Sequence, residues 1–321
     1  MDIIFLTGHR KAGTSVFHKL FEGHPELNSF PVDPTIFYAY FPQFMMENTE
    51  EAQRRERIRK IYARIMADLE GLQPPEGTKP FHFDAFWAGL NESLSAKDLE
   101  DRPVLLRKVL EAYAAVCGMD PRKTWVVKET TQAMFAHKFA APGMRFWFIN
   151  LLRDPRDNYG ALKAGVKGYY AKLGENELKT LASLINRARM DFLASMTNPD
   201  LLTVRFEDLC ANTRKEMERI CYFTGIAFDD CLLTPTRMGS AYGGNSHEGT
   251  VFQGLSSENV GRWRERISDQ EAMIIEFWLK DVMVAYGYES VFEDAEKSAA
   301  FTDFYQWYNS TYFFSDPYRN A

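Results

Sequence analysis

Cysteine is scarce. The chain of 321 residues carries four, Cys117, Cys210, Cys221 and Cys231, with no C-x-x-C pair and no histidine at metal-ligand spacing beside them. That argues against a disulfide framework or a zinc site and predicts reduced, mostly buried thiols. Long hydrophobic runs are also missing: no stretch reaches the ~18 apolar residues of a membrane-spanning helix. The opening run, residues 2–6, is too short for the core of a signal peptide and leads at once into a glycine-containing loop. The expectation is a domain that starts folding at its first residues and works in the cytoplasm. Excess positive charge is absent, the formal net charge being −6. Bulk electrostatics therefore give no reason to expect nucleic acid or an anionic membrane as partner. There is no internal repeat and no low-complexity tract.

What is present is ordinary core material, 45% hydrophobic and 26% charged residues. Short apolar runs at residues 3–7, 125–127, 146–152 and 201–204 read as buried strands. Helical spacing predicts helices over 14–21, 49–72, 103–117, from about 156, 176–196 and 213–224. In the second of these, Ile58, Ile61, Tyr62, Ile65, Met66, Leu69 and Leu72 recur on one face. Thr213 and Glu216 have capping-box spacing. Strands alternating with helices predict an α/β fold, a central parallel sheet flanked by helices.

Between the first strand and the first helix lies Gly8-His9-Arg10-Lys11-Ala12-Gly13-Thr14-Ser15. Unpaired N–H groups at a helix start attract a phosphate, and glycine lets the backbone turn tightly beside it. Thr14 and Ser15 add hydroxyl donors; Arg10 and Lys11 add charge. The nucleotide-kinase pattern has lysine directly after the second glycine. Here that position is Thr14, and the lysine sits earlier at Lys11.

This arrangement resembles the 5′-phosphosulfate loop of sulfotransferases, enzymes that use 3′-phosphoadenosine 5′-phosphosulfate (PAPS) and release adenosine 3′,5′-bisphosphate. A second motif, Arg153-Asp154-Pro155-Arg156-Asp157 at the end of a buried strand, resembles that family's 3′-phosphate site. The resemblance makes Arg153 a phosphate contact. The family's serine eight residues on is Ala161 here, its role passing to a neighbour such as Asn158 or Lys163 or being lost. Arg156 is read either as part of the site or as a surface salt bridge with Asp154 or Asp157. Glu207-Asp208-Leu209, residues 243–246, residues 260–264 and Tyr286-Gly287-Tyr288 follow in family order, so the resemblance covers residues 3–288. It implies a P-loop-like fold and makes Arg262 a second contact to the 3′-phosphate. Trp263 is read as packing ahead of ligand.

The implied chemistry is transfer of a sulfuryl group to an acceptor hydroxyl, with a cation at the leaving oxygen and a base at the acceptor. Lys11 suits the first role. Glu129 suits the second, oriented by Lys128 or made basic by burial; a surface pair with Lys128 is the plain alternative. A carboxylate there resembles carbohydrate and tyrosine sulfotransferases, and a carbohydrate is the expected acceptor. His24, His82 and His247 are alternative bases. No metal is expected. Residues 30–46, aromatic-rich over 34–46, and 78–94 are candidate walls of the acceptor cleft. The domain reading is a sulfotransferase domain over 1–290 and an aromatic-rich tail over 291–321 that packs on the domain or on a partner subunit. Two other classes stay open: a kinase or NTPase with an aberrant loop, and a nucleotide-binding protein without transfer activity.

Overall fold

The computed structural model describes residues 1–35, 50–166, 176–244 and 254–312. Its centre is a five-stranded sheet of β1 (Asp2–Gly8), β2 (Leu27–Ser29), β3 (Thr124–Lys128), β4 (Arg145–Leu152) and β5 (Leu201–Arg205). The order is β2-β3-β1-β4-β5 and every pairing is parallel. Ile3, Ile4, Phe5 and Leu6 of β1 are fully buried, which is why the strand reads as an unbroken apolar run: helices cover both of its faces.

Side-chain alternation divides the core in two. Ile3, Phe5, Trp125, Val127, Phe146 and Phe148 face one side. Covering them are α2 (Glu51–Ile65), α3 (Phe83–Ser93) and α4 (Arg102–Cys117), through residues such as Ile58, Phe86 and Leu106. Ile4, Leu6, Val126, Ile149, Leu151 and Val204 face the other side. There they meet α1 (Thr14–Lys19), α7 (Phe206–Ala211) and α8 (Thr213–Thr224). Each fully buried aliphatic or aromatic side chain contributes about 1.5–3 kcal/mol relative to exposure. A third cluster joins α5 (Pro155–Gly165) and α6 (Glu177–Thr197) to the late helices α9 (Trp263–Arg266), α10 (Asp269–Trp278), α11 (Lys280–Ala285) and α12 (Asp294–Tyr312). Phe301 of α12 stacks between Phe277 and Trp278 of α10.

Four local expectations change. The helix expected over 14–21 ends at Lys19. The one expected over 49–72 ends at Ile65, followed by a 3-10 turn, Ala67–Leu69, and Leu72 is exposed. The cap of α8 is Asn212, whose side chain accepts from Lys215 N–H; Thr213 Oγ1 donates back to Leu209 O. Segment 78–94 contains α3, whose Phe86 and Leu90 are core residues. Most of the aromatic stretch 34–46, with Asn245, Ser246, His247 and residues 313–321, lies outside the described residues.

Candidate active site

The carboxyl ends of β3, β1 and β4 lie side by side, the usual location of a ligand crevice in an open α/β sheet. After β3 the chain stays zipped to β1: Glu129 N–H donates to Leu6 O at 3.1 Å and Thr131 N–H to Gly8 O at 3.0 Å. Gln132 N–H donates to Thr7 Oγ1 at 2.8 Å. Glu129 is thus held beside the first residue of the phosphate loop, with only 2% of its surface exposed.

The loop turns sharply between β1 and α1. Ala12 N–H closes onto His9 O at 3.1 Å, and Lys11 takes a positive φ of 64°. Two glycines are obligatory. A Cβ at Gly8 would collide with Leu151 O, and one at Gly13, where φ is 100°, would sit 2.6 Å from ring carbons of Phe206. Gly13→Ala is therefore expected to cost about 1–3 kcal/mol, read as a lower denaturant midpoint. An unchanged midpoint would mean that Phe206 moves aside freely.

Gly13 is also the N-cap of α1 and has no side chain with which to cap it. Behind it Thr14 is buried and Ser15 is half-buried, hydrogen-bonded to the Tyr242 hydroxyl. At six residues α1 is short, so the first-turn N–H groups and nearby cations carry more of the field than any macrodipole. Burial lowers the pKa of Lys11.

Arg153 joins the two predicted cationic elements. Its Nη1 donates to Lys11 O at 3.2 Å and its Nη2 to Asn259 O at 2.6 Å. Its guanidinium lies 5.2 Å from the centre of the Phe206 ring, the same ring that meets Gly13. Burial lowers the Arg153 pKa, with Asp157 and Glu207 opposing. Asn158 Nδ2 donates to Arg10 O at 2.7 Å. The turn after β4 therefore shapes the loop after β1 by holding consecutive carbonyls.

The late loop closes on the same turn. Asp157 accepts from Gly261 N–H at 2.6 Å and from Trp263 N–H at 2.7 Å. Trp263 is buried against the Arg156 guanidinium, 4.5 Å away, so it packs. Arg262 sits between the two clamped residues with its side chain 40% exposed and Nε 3.9 Å from Glu265. Glu207 accepts from Asp154 N–H at 2.8 Å and from the Tyr288 hydroxyl at 2.9 Å.

Several sequence expectations are corrected here. Lys128 does not pair with Glu129: neighbours along a strand point to opposite faces, and Lys128 makes its ion pair with Asp33. Nor is the alternative of a surface pair met, both residues being buried. Arg156 does pair with Asp154, at 2.7 Å, but inside the protein, where Glu276 at 2.6 Å is its second partner. Lys163 does not stand in for the serine missing at Ala161; it binds Glu271 on α10 at 2.8 Å. Asn158 is engaged with the loop. His24 is structural, its Nε2 meeting Ala227 O and its Nδ1 accepting from Glu26 N–H. His82 is an exposed N-cap residue of α3. Asp157, Asp33 and Tyr242 went unread as site residues; the carboxylate within the second motif was the one available signal. Among the described residues no cluster of three potential metal ligands occurs, and no helix is long and apolar enough to cross a membrane.

Two solved structures share this P-loop-like architecture. The sulfotransferase domain of the Synechococcus PCC 7002 olefin synthase is 16% identical, with 91% of this chain and 96% of that one aligned at a TM-score of 0.55. The sulfotransferase domain from the curacin biosynthetic pathway is also 16% identical, with coverages of 90% and 99% and a TM-score of 0.57. At such identity the likeness concerns the fold. No curated protein matches the chain by sequence. Residues 3–230, a span that holds the phosphate loop, Glu129, Arg153 and Glu207, match the Sulfotransferase family, and the chain belongs to that family.

Proposed function

We propose that this sulfotransferase moves the sulfuryl group of PAPS to an acceptor hydroxyl of a carbohydrate. The observation that carries the reading is the contact of Arg153 with the carbonyl of Lys11, which brings the two basic elements together as a cradle for one doubly phosphorylated nucleotide. The residues fit such a ligand. A guanidinium has five N–H donors, and the two contacts to main-chain carbonyls leave others on the same group for a phosphate. Gly8 and Gly13 let the loop pack closely against β4 and Phe206, where a Cβ would collide.

PAPS, when bound, supplies the sulfuryl group and a phosphate leaving oxygen. In this assignment Arg10, Gly13, Thr14 and Ser15 hold the 5′-phosphate, and Arg153 with Arg262 holds the 3′-phosphate. Lys11 neutralises the charge that grows on the leaving oxygen. Glu129 takes the proton of the acceptor hydroxyl. A carboxylate base is shared by the carbohydrate and tyrosine sulfotransferases that this site resembles, and the carbohydrate is the acceptor proposed here. The four cysteines are all free thiols, which suits a reducing compartment such as the cytoplasm.

The test is ligand-linked stability. Adenosine 3′,5′-bisphosphate at a hundred times its Kd adds about 2.7 kcal/mol to folding, read as a raised melting temperature in the absence of magnesium. Labelled PAPS should then pass its sulfuryl group to a carbohydrate panel. A shift with ATP and magnesium alone would favour a kinase or NTPase. A shift with the bisphosphate and no transfer to any acceptor would favour a protein that binds without catalysing.

A further inference from the structure

Beside the phosphate loop lies a small cavity of about 10 Å³ between α6, β4, the start of α5 and the loop. His9, Asn150, Arg153 and Asp191 line it, together with apolar residues such as Leu184 and Ala188 and with Asn158, whose amide donates to Arg10 O. The first four are each at least nine-tenths buried. Each also brings one polar atom without a hydrogen-bond partner among the described residues: His9 Nε2, Asn150 Oδ1, Arg153 Nε and Asp191 Oδ1. Four such atoms around one void are unusual, because an unmet buried polar atom costs about 1–3 kcal/mol. The volume matches a single water, which needs about 10–15 Å³ and two to four polar partners.

We propose that this cavity is a binding site for one ordered water molecule, and that through it Asp191 acts as a positioning residue for Arg153 and the phosphate loop. The donor count closes. His9 Nδ1 faces Arg10 O at 3.2 Å; a carbonyl only accepts, so Nδ1 carries the proton and Nε2 is an acceptor. Burial, with Arg187 and Arg10 nearby, holds His9 neutral by lowering its pKa to about 3. Burial pushes Asp191 up to about 7 against the pull of Arg187 and the N–H of Met134. In its protonated form Asp191 supplies one donor and Arg153 Nε another, His9 Nε2 and Asn150 Oδ1 are two acceptors, and a water completes all four. The bridge runs from α6 to the guanidinium that grips Lys11 O and Asn259 O, so it fixes the side chain on which the proposed nucleotide cradle depends.

A crystal structure of the full chain at a resolution that orders solvent should show one water within hydrogen-bond distance of these four atoms. A dry cavity, or one closed by direct contact of its lining groups, overturns the proposal. The positioning role rests on the nucleotide reading and is measured separately, by titrating adenosine 3′,5′-bisphosphate. Asp191→Leu removes a donor and fills the void, and is expected to weaken binding about tenfold. Asp191→Asn, whose amide takes the place of the protonated carboxyl, is expected to restore it. Equal affinity in the leucine variant and the wild type, or no rescue by asparagine, sinks the positioning role. A wild type that ignores the bisphosphate sinks the nucleotide reading instead, and leaves the water to the crystal. Should the leucine variant not fold, the asparagine variant and the solvent structure decide.

Discussion

Lys11→Met is expected to lower kcat for sulfuryl transfer by about a hundred- to a thousandfold, with little change in the melting temperature. The separation of the two effects follows from how the residue is held. Arg153 binds the main-chain carbonyl of Lys11, so the side chain can be exchanged without dismantling the cradle. Methionine tolerates the positive φ of 64° no worse than lysine does, since any residue with a Cβ bears the same cost there. What disappears is a cation that burial has partly stripped of water, and a poorly solvated charge acts more strongly on charge developing beside it. Lys11→Arg should recover only part of the loss, because a planar fork does not replace a compact ammonium. The pH profile carries a second signature. Transfer needs Lys11 protonated and burial lowers its pKa, so the alkaline limb should begin below the ordinary lysine range. Glu129→Gln should lose kcat to a similar extent and lose the acid limb, which belongs to the base. A Lys11→Met enzyme that keeps its kcat would remove the lysine from the leaving oxygen.

Local features were the legible ones. The strands at residues 3–7, 125–127, 146–152 and 201–204 could be read because a parallel strand buried on both faces shows as an apolar run within a few residues. The phosphate loop and the Arg153 turn could be read because each follows such a run directly. Pairing across the chain was not visible. Sequence adjacency suggests Glu129 as the partner of Lys128 although strand alternation separates them, and the actual partner, Asp33, comes from beyond β2. The helix α3 announces its buried face with little more than Phe86 and Leu90, and a stripe that short does not separate a helix from a loop. Asp191 reads as one more acidic residue on a long helix. Only the packing of α6 across the end of β4 turns it toward His9 and Arg153.

The largest stability effect is expected at Glu276, which no local pattern marks. It is 1% exposed on α10 and binds Arg156 Nη1 at 2.6 Å, 120 residues away in sequence. Its carboxylate also accepts from the Ser290 hydroxyl at 2.5 Å and from the N–H of Val291 at 3.1 Å. One carboxylate therefore anchors the turn that carries Arg153 to the chain leading into α12. Glu276→Ala leaves the buried Arg156 with Asp154 as its remaining carboxylate and strands the donors around residue 290. Breaking a buried pair from one side costs about 3–5 kcal/mol, which for a chain of this size lowers the melting temperature by roughly 4–8 °C. Glu276→Gln keeps an acceptor but not the charge and should fall between. Because Arg156 and Arg153 share one turn, the alanine variant should also bind adenosine 3′,5′-bisphosphate more weakly well below its own melting temperature. A melting temperature within two degrees of wild type would mean that water reaches this pair, and that the other contacts of the late helices hold them in place.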